Sequence, residues 1–270
     1  MPATTEITVS QLNRLIGTPD CPVIVDIRLP EDFETDPSVI PGSIRHSHSD
    51  IRGLIVHLEG RRAVIVCHKG LKLSQGMVAL LACEGEKAEY LQGGIQAWRA
   101  AEETLCVPVA AVPAPVEGAT LWVTRHRPKV DRIACPWLIR RFVDPSARFL
   151  FVSPSEVLGV AERFGATPFD IEGVYFSHRG ETCTFDTMLE SFGLTSPALQ
   201  RLAAVVRGAD TNRHDLHPVA AGLLAISVGL SRQYRDDLAQ LDAGMTLYDA
   251  LYRWARDGFD EGHDWPAARG

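Results

Sequence analysis

Over the first hundred residues, short apolar runs suited to buried strands alternate with longer stretches whose apolar positions recur at helical spacing. Val23-Ile24-Val25-Asp26-Ile27, Ala63-Val64-Ile65-Val66 and Lys87 to Leu91 are the strand-like runs. Between them, one helix is expected from a Ser10 cap, with Leu12, Leu15 and Ile16 on a face. A second is expected from Leu73-Ser74, with Met77, Leu80 and Leu81 inward and Gly85 as its stop. This alternation predicts an α/β unit, a parallel sheet covered by helices on both faces. In such sheets the reactive crevice lies beyond the carboxyl ends of the strands, which is where Cys67 falls.

The rest of the chain reads differently. Trp122 to Arg125 is strand-like, and the stretch from Asp131 to Phe142 is a helix interrupted by Pro136, with Trp137 and Phe142 directed to a core. Asp131 and Cys135, four apart, share a face if the helix continues. Gly173 to Phe176 is a further expected strand. Leu199, Leu202, Ala203, Val205 and Val206 form an apolar helical stripe, and Pro218 is expected to start a long helix containing Leu223, Leu224, Ile226 and Leu230. The pattern predicts an α-rich α+β second domain. Three prolines among alanines and valines mark residues 108–119 as a semi-rigid linker, so the expected domains are 1–107 and 120–270. A chain of 270 residues suits two units that each bury a core.

Charge narrows the function classes. Residues 1–107 carry ten basic against fourteen acidic side chains, net −4, and residues 108–270 carry seventeen against twenty, net −3. Neither half has the positive field of a dedicated nucleic-acid binder. Six scattered cysteines and a short polar amino end without an apolar leader fit a reducing cytoplasm. The longest apolar run, Val219 to Leu230, falls short of a membrane span.

Cys67 is the first chemical candidate. It ends an apolar strand and opens the loop His68-Lys69-Gly70-Leu71-Lys72, which leads into a helix. Loop amides, a helix amino end and two lysines favour the nucleophilic form of a sulfur in that place. Around it stand Val25-Asp26-Ile27-Arg28, Ile40-Pro41-Gly42-Ser43-Ile44-Arg45 and Leu91-Gln92-Gly93-Gly94-Ile95-Gln96-Ala97-Trp98. Together these pieces resemble a rhodanese domain over about residues 5 to 107. The resemblance implies that Cys67 accepts a sulfane sulfur as a persulfide from thiosulfate or another persulfide and passes it to a thiol or cyanide, with no cofactor. In the loop itself, Lys69 and Lys72 are placed to bind an anion and His68 is an acid, a substrate contact or a surface residue; His68, Lys69, Gly70, Leu71 and Lys72 are the candidate substrate-binding residues. Phosphatases of the same architecture use a loop one residue longer that ends in arginine; position 73 is Leu, which argues against that chemistry. Asp26, Arg28 and Arg45 are expected to brace the sheet.

From Leu121 to Arg148 the chain is locally basic, with Arg125, Arg127, Lys129, Arg132, Arg140, Arg141 and Arg148 against Asp131 and Asp144. A solvated helix face, an acidic partner or a small oxyanion would each account for it. This segment, with Phe169-Asp170, Phe176-Ser177-His178, Cys183-Thr184-Phe185, Arg207-Gly208-Ala209-Asp210 and Leu247-Tyr248-Asp249-Ala250-Leu251-Tyr252, resembles the carboxy-terminal domain of the chromate-resistance ChrB family. That resemblance implies oxyanion contact, for which Arg132, Arg140 and Arg141 are the candidates, and chromate as a ligand. A rhodanese-like segment replaces the basic amino-terminal region of ChrB regulators, so DNA binding is not carried over. His178, Cys183 and Asp210 are candidate ligands for a metal such as zinc or iron. The combined reading is a cytoplasmic sulfurtransferase associated with chromate or oxyanion resistance. Its alternatives are a non-enzymatic chromate or metal sensor, and a thiol-dependent chromate reductase using Cys67, Cys135 or Cys183.

Overall fold

A computed structural model gives the fold, with residues 5–262 described. The chain divides into two compact units. The first is built from residues up to Thr120 together with Leu138–Ala147 and Phe192–Leu194; the second takes Leu121–Trp137, Arg148–Ser191 and the residues from Thr195 onward. Residues 1–4 and 263–270, the outer ends of the two expected domains, lie outside the described residues.

The strands of the first unit are β1 (Glu6–Ile7), β2 (Val23–Asp26), β3 (Ser38–Val39), β4 (Ser43–Arg45), β5 (Ala63–Val66), β6 (Ala88–Leu91) and β7 (Val107–Pro108). Five of them make a wholly parallel sheet in the order β1-β6-β5-β2-β4, while β3 pairs antiparallel with β7. Its helices are α1 (Val9–Leu15), α2 (Pro30–Thr35), α3 (Ile51–Leu58), α4 (Lys72–Cys83) and α5 (Gly94–Ala100). Strand alternation sends Val25, Ile27, Ala63, Ile65 and Cys67 into one core with Leu54 and Leu58 of α3 and Met77, Val78 and Leu81 of α4. Ile24, Val64 and Val66, equally buried, face the other way.

Local chemistry moves some expected boundaries. Thr8 rather than Ser10 caps α1, because Thr8 and Gln11 form a reciprocal capping box and Ser10 lies inside the helix. Leu80 is 53% exposed rather than inward. The buried stripe of α4 runs through Ser74, Met77, Val78 and Leu81, and Leu80 falls about a third of a turn off its centre. Gly85 does stop the helix region, at φ +83°. The proline-rich stretch is tied down at its start: Pro108 pairs with Ser38, the Val109 N–H donates to the Pro37 carbonyl, and Val109–Ala111 form a 3-10 turn.

In the second unit β8 (Leu121–Arg125), β9 (Arg148–Val152) and β10 (Thr167–Pro168) make a parallel sheet in the order β10-β8-β9. Around it lie α6 (Asp131–Leu138), α7 (Val157–Phe164), α8 (Thr184–Ser191), α9 (Pro197–Asp210), α10 (Ala220–Gln233) and α11 (Asp237–Arg253). Helix α6 continues through Pro136 and passes into a π-helical turn at Ile139–Val143. Trp137 and Phe142 are fully buried, as is the α9 stripe. The expected strand at 173–176 is instead a turn carrying one bridge, Phe169 to Phe176, since Gly173 adopts φ +80°. Helix α10 begins at Ala220, two residues beyond Pro218, and Ile226 is half exposed. The molecule is thus an α/β unit with a parallel sheet flanked by helices, and a helix-rich α+β unit. Among the described residues, no helix is long and apolar enough to cross a membrane.

Candidate functional site

Cys67 follows the last residue of the central strand β5 and continues its alternation, so the side chain enters the core face and is only 4% exposed. Ser74, in the first turn of α4 and fully buried, places its hydroxyl 3.2 Å from Cys67 Sγ while donating to the Leu71 carbonyl. The loop between them is shaped by glycines. Gly70 sits at φ +66° and Gly94 at φ +61°. A Cβ on Gly94 would lie 2.4 Å from the Cys67 carbonyl oxygen and 2.5 Å from the Gly70 nitrogen, and one on Gly70 would lie 2.5 Å from the Leu91 oxygen. The loop and the Gly93-Gly94 turn therefore pack backbone to backbone, clipped by Ile95 N–H to the Cys67 carbonyl, 3.0 Å, and Gln96 N–H to the His68 carbonyl, 3.2 Å.

The remaining loop candidates surround this frame. The Gln96 side-chain amide donates to His68 Nε2 at 2.9 Å, and His68 Nδ1 is 3.9 Å from Asp32 Oδ1. Lys69, Leu71 and Lys72 are exposed. Beside the carboxyl end of β5, Asp26 and Arg28 are buried and paired at 2.5 Å, Arg45 reaches Asp26 at 3.4 Å, and Arg28 also binds the Asp36 and Ser38 carbonyls. Arg45 lies 3.7 Å over the Phe33 ring. These contacts are the expected brace.

The basic segment is divided between the units. Arg140 and Arg141 belong to the first, where they line a hollow with His57 and Arg61, and Arg140 also donates to the Ala147 carbonyl. Arg132 belongs to the second, where it contacts Asp170 at 3.2 Å and the Arg125 and His126 carbonyls.

In the second unit, side chains from four places in the sequence meet. Asp131 is completely buried at the start of α6 and accepts from the Thr184 and Phe185 N–H groups, capping α8 from another element, and from Cys135 Sγ at 3.3 Å. The helix does continue through Pro136, so the Asp131–Cys135 pair forms. Asp170, at φ +52° after β10, takes Arg125 at 3.0 Å and Arg132 on Oδ2 and the Thr184 hydroxyl on Oδ1. His178 Nε2 lies 3.2 Å from Asp210, 3.4 Å from Asp170 and 3.6 Å from Asp131. Contacts with Asp170 and Asp210 push the His178 imidazole up to about 10. Burial, then the neighbouring carboxylates, push the Asp131 carboxyl well above its usual range. Burial opposes ionisation of Asp170, but His178, Arg132 and Arg125 outweigh it and hold that carboxyl low.

Of the three metal candidates, His178 and Asp210 come together and Cys183 does not join them. The Cys183 thiol donates to Asp186 at 3.3 Å, and burial pushes it and Cys135 well above the ordinary thiol range. Among the described residues, the side chains close enough together to hold one ion are Asp131, Asp170 and His178, with Asp210 contacting His178 from outside that group; Asp131 and Asp170 were not foreseen. Nothing in their spacing along the chain announces them; an aspartate at a left-handed φ and one at a helix start acquire meaning only from the fold.

Residues 8–101 match the rhodanese-like domain, and residues 122–255 match the ChrB C-terminal domain. Protein ChrB of Cupriavidus metallidurans is 36% identical over 137 residues, which span 48% of this chain and 39% of that relative. Among solved structures, a rhodanese-like domain protein from Staphylococcus aureus is 30% identical, covering 38% of this chain and 97% of its own, with a TM-score of 0.32. A thiosulfate sulfurtransferase from Pseudomonas aeruginosa is 25% identical, covering 37% of this chain and 18% of its own, with a TM-score of 0.30.

Proposed function

We propose that this chain, which joins a rhodanese-like domain to a ChrB C-terminal domain, is a cytoplasmic sulfurtransferase that carries a sulfane sulfur on Cys67 and serves chromate or oxyanion resistance. The observation that supports it best is the seat of Cys67: a sulfur at the end of the central parallel strand, inside a six-residue loop locked onto the Gly93-Gly94 turn, with a buried hydroxyl 3.2 Å away. In the proposed cycle the Cys67 thiolate attacks the outer sulfur of thiosulfate. The S–S bond breaks, sulfite leaves with its electron pair, and Cys67 becomes a persulfide. A thiol acceptor or cyanide then attacks the outer persulfide sulfur and releases the thiolate, as a persulfide or thiocyanate product forms. The Ser74 hydroxyl, which accepts from the Cys67 thiol and donates to the Leu71 carbonyl, would donate to the sulfur anion at both ends of the cycle by turning from that carbonyl. Thiol-dependent chromate reduction fits less well, because Cys135 and Cys183 are buried and held protonated.

Intact-protein mass spectrometry after thiosulfate treatment tests the reading. The wild type gains one sulfur and turns over cyanide to thiocyanate; Cys67→Ser gains none and has no turnover, with its circular dichroism unchanged. A variant that transfers sulfur at the wild-type rate would overturn the role of Cys67.

A further inference from the structure

Away from the Cys67 loop, three donor side chains from three separate segments of the second unit point at one place: Asp131 from α6, Asp170 after β10 and His178 before α8, with Asp210 at the end of α9 reaching His178. Spacing is the first clue. The contacts of His178 Nε2, at 3.2, 3.4 and 3.6 Å, are all longer than the roughly 2.7–2.9 Å of a charge-assisted hydrogen bond. Those to Asp170 and Asp131 match instead the edge of a coordination polyhedron, which for bonds of about 2.1 Å is about 3.0 Å if octahedral and about 3.4 Å if tetrahedral. Ligand atoms of Asp131, Asp170 and His178 all lie within 4.8 Å of one another.

Charge is the second. Among the described residues His178 is the ion-pair partner of both Asp131 and Asp210, whereas Asp170 turns one oxygen to Arg125 and Arg132 and keeps the other toward His178. The three carboxylates thus share His178, Arg125 and Arg132, and among the described residues the fully buried Asp131 has only His178 as its ion-pair partner. The carboxylates are also held from behind: Asp131 by the Thr184 and Phe185 amides, and Asp170 by the Thr184 hydroxyl and two arginines. Donors fixed in this way do not have to be gathered by the ion.

We propose that Asp131, Asp170 and His178 bind one divalent first-row metal ion, with Asp210 contacting His178 from outside that group. Two carboxylates and one imidazole are a hard, oxygen-rich set, suited to Mn²⁺ or Fe²⁺ in preference to thiophilic ions. Cys183, tied to Asp186, is not a ligand. Beside His178 an open hollow of about 340 Å³, lined by Arg125, Asp170 and Ser177 among others, leaves the outer face of the ion accessible to water or an oxyanion.

The site is independent of sulfur transfer, and its test keeps the two apart. Full-length protein freed of metal by a chelator is titrated with Mn²⁺ while the electron paramagnetic resonance signal of the free ion is followed. Wild type and Cys67→Ser should each take up one Mn²⁺ per chain, and His178→Gln and Asp170→Asn should each bind at least about tenfold more weakly. Circular dichroism identifies any variant that fails to fold; His178, 40% exposed, is the milder change and carries the test if Asp170→Asn misfolds. No uptake by the wild type at millimolar Mn²⁺, or folded variants that titrate like the wild type, would overturn the proposal.

Discussion

At the scale of single residues, exposure decides how much each charged or nucleophilic group is worth. Lys69 and Lys72 flank Cys67 in the sequence, yet both side chains stand in solvent, where a charge contributes about 0.5–1 kcal/mol rather than the larger amount of a buried contact. Lys69→Ala and Lys72→Ala should therefore lower kcat/KM for thiosulfate only about two- to fivefold each, with the difference shrinking as salt is added. Steady-state kinetics at two ionic strengths checks this; a hundredfold loss from either would mean that the lysine closes over the substrate. Cys21 shows the opposite case. Burial raises its thiol from 9.0 to about 11, against the smaller opposing influence of Arg141 and Arg62. The folded state thus holds this proton more tightly than the unfolded chain. The contribution is intact below about pH 9 and is lost as pH climbs toward about 11. Urea unfolding should show wild type losing more stability than Cys21→Ala between those limits, and equal losses would disprove the assignment.

At the scale of elements, the sequence pattern located the pieces and packing explained two of them. Gly93-Gly94 is visible as a motif, but its reason is steric: the turn before α5 lies against the Cys67 loop too closely for any Cβ on Gly94. Gly94→Ala, forced into a left-handed φ and into backbone atoms, should cost at least about 2–3 kcal/mol in urea unfolding and disorder the loop that carries Cys67. A variant as stable as wild type would show that the turn can move away. Helix α8 is the second case. Its first N–H groups are capped by Asp131, 53 residues upstream of Thr184, so its start could not be read from neighbouring residues. The misplaced strand at 173–176 has the same origin, since one glycine with a positive φ turned an apolar run into a bend.

At the scale of the whole molecule, the first unit includes Leu138–Ala147, which the composition had grouped with everything after the proline-rich stretch. The Gly42 N–H donates to the Phe142 carbonyl at 2.7 Å, and the Thr120 N–H and hydroxyl both donate to Asp144. A fragment ending at Thr120 lacks these partners. Its Gly42 amide should exchange with solvent at least about tenfold faster than in the full chain, which hydrogen exchange measures directly; equal protection would show that the later segment is dispensable. What the sequence by itself determined is whatever depends on near neighbours: the 2.0 and 3.6 periodicities, the parallel α/β character, the strand-loop-helix seat of Cys67, and the motifs of both domains. These are legible because backbone geometry and local sterics act over a few residues. Tertiary structure alone decided which distant groups share an environment. It set Ser74 against Cys67, divided Arg132 from Arg140 and Arg141, left Cys183 in the core, and assembled Asp131, Asp170, His178 and Asp210. Contacts between residues tens of positions apart arise from chain packing, and spacing along the chain carries no record of them.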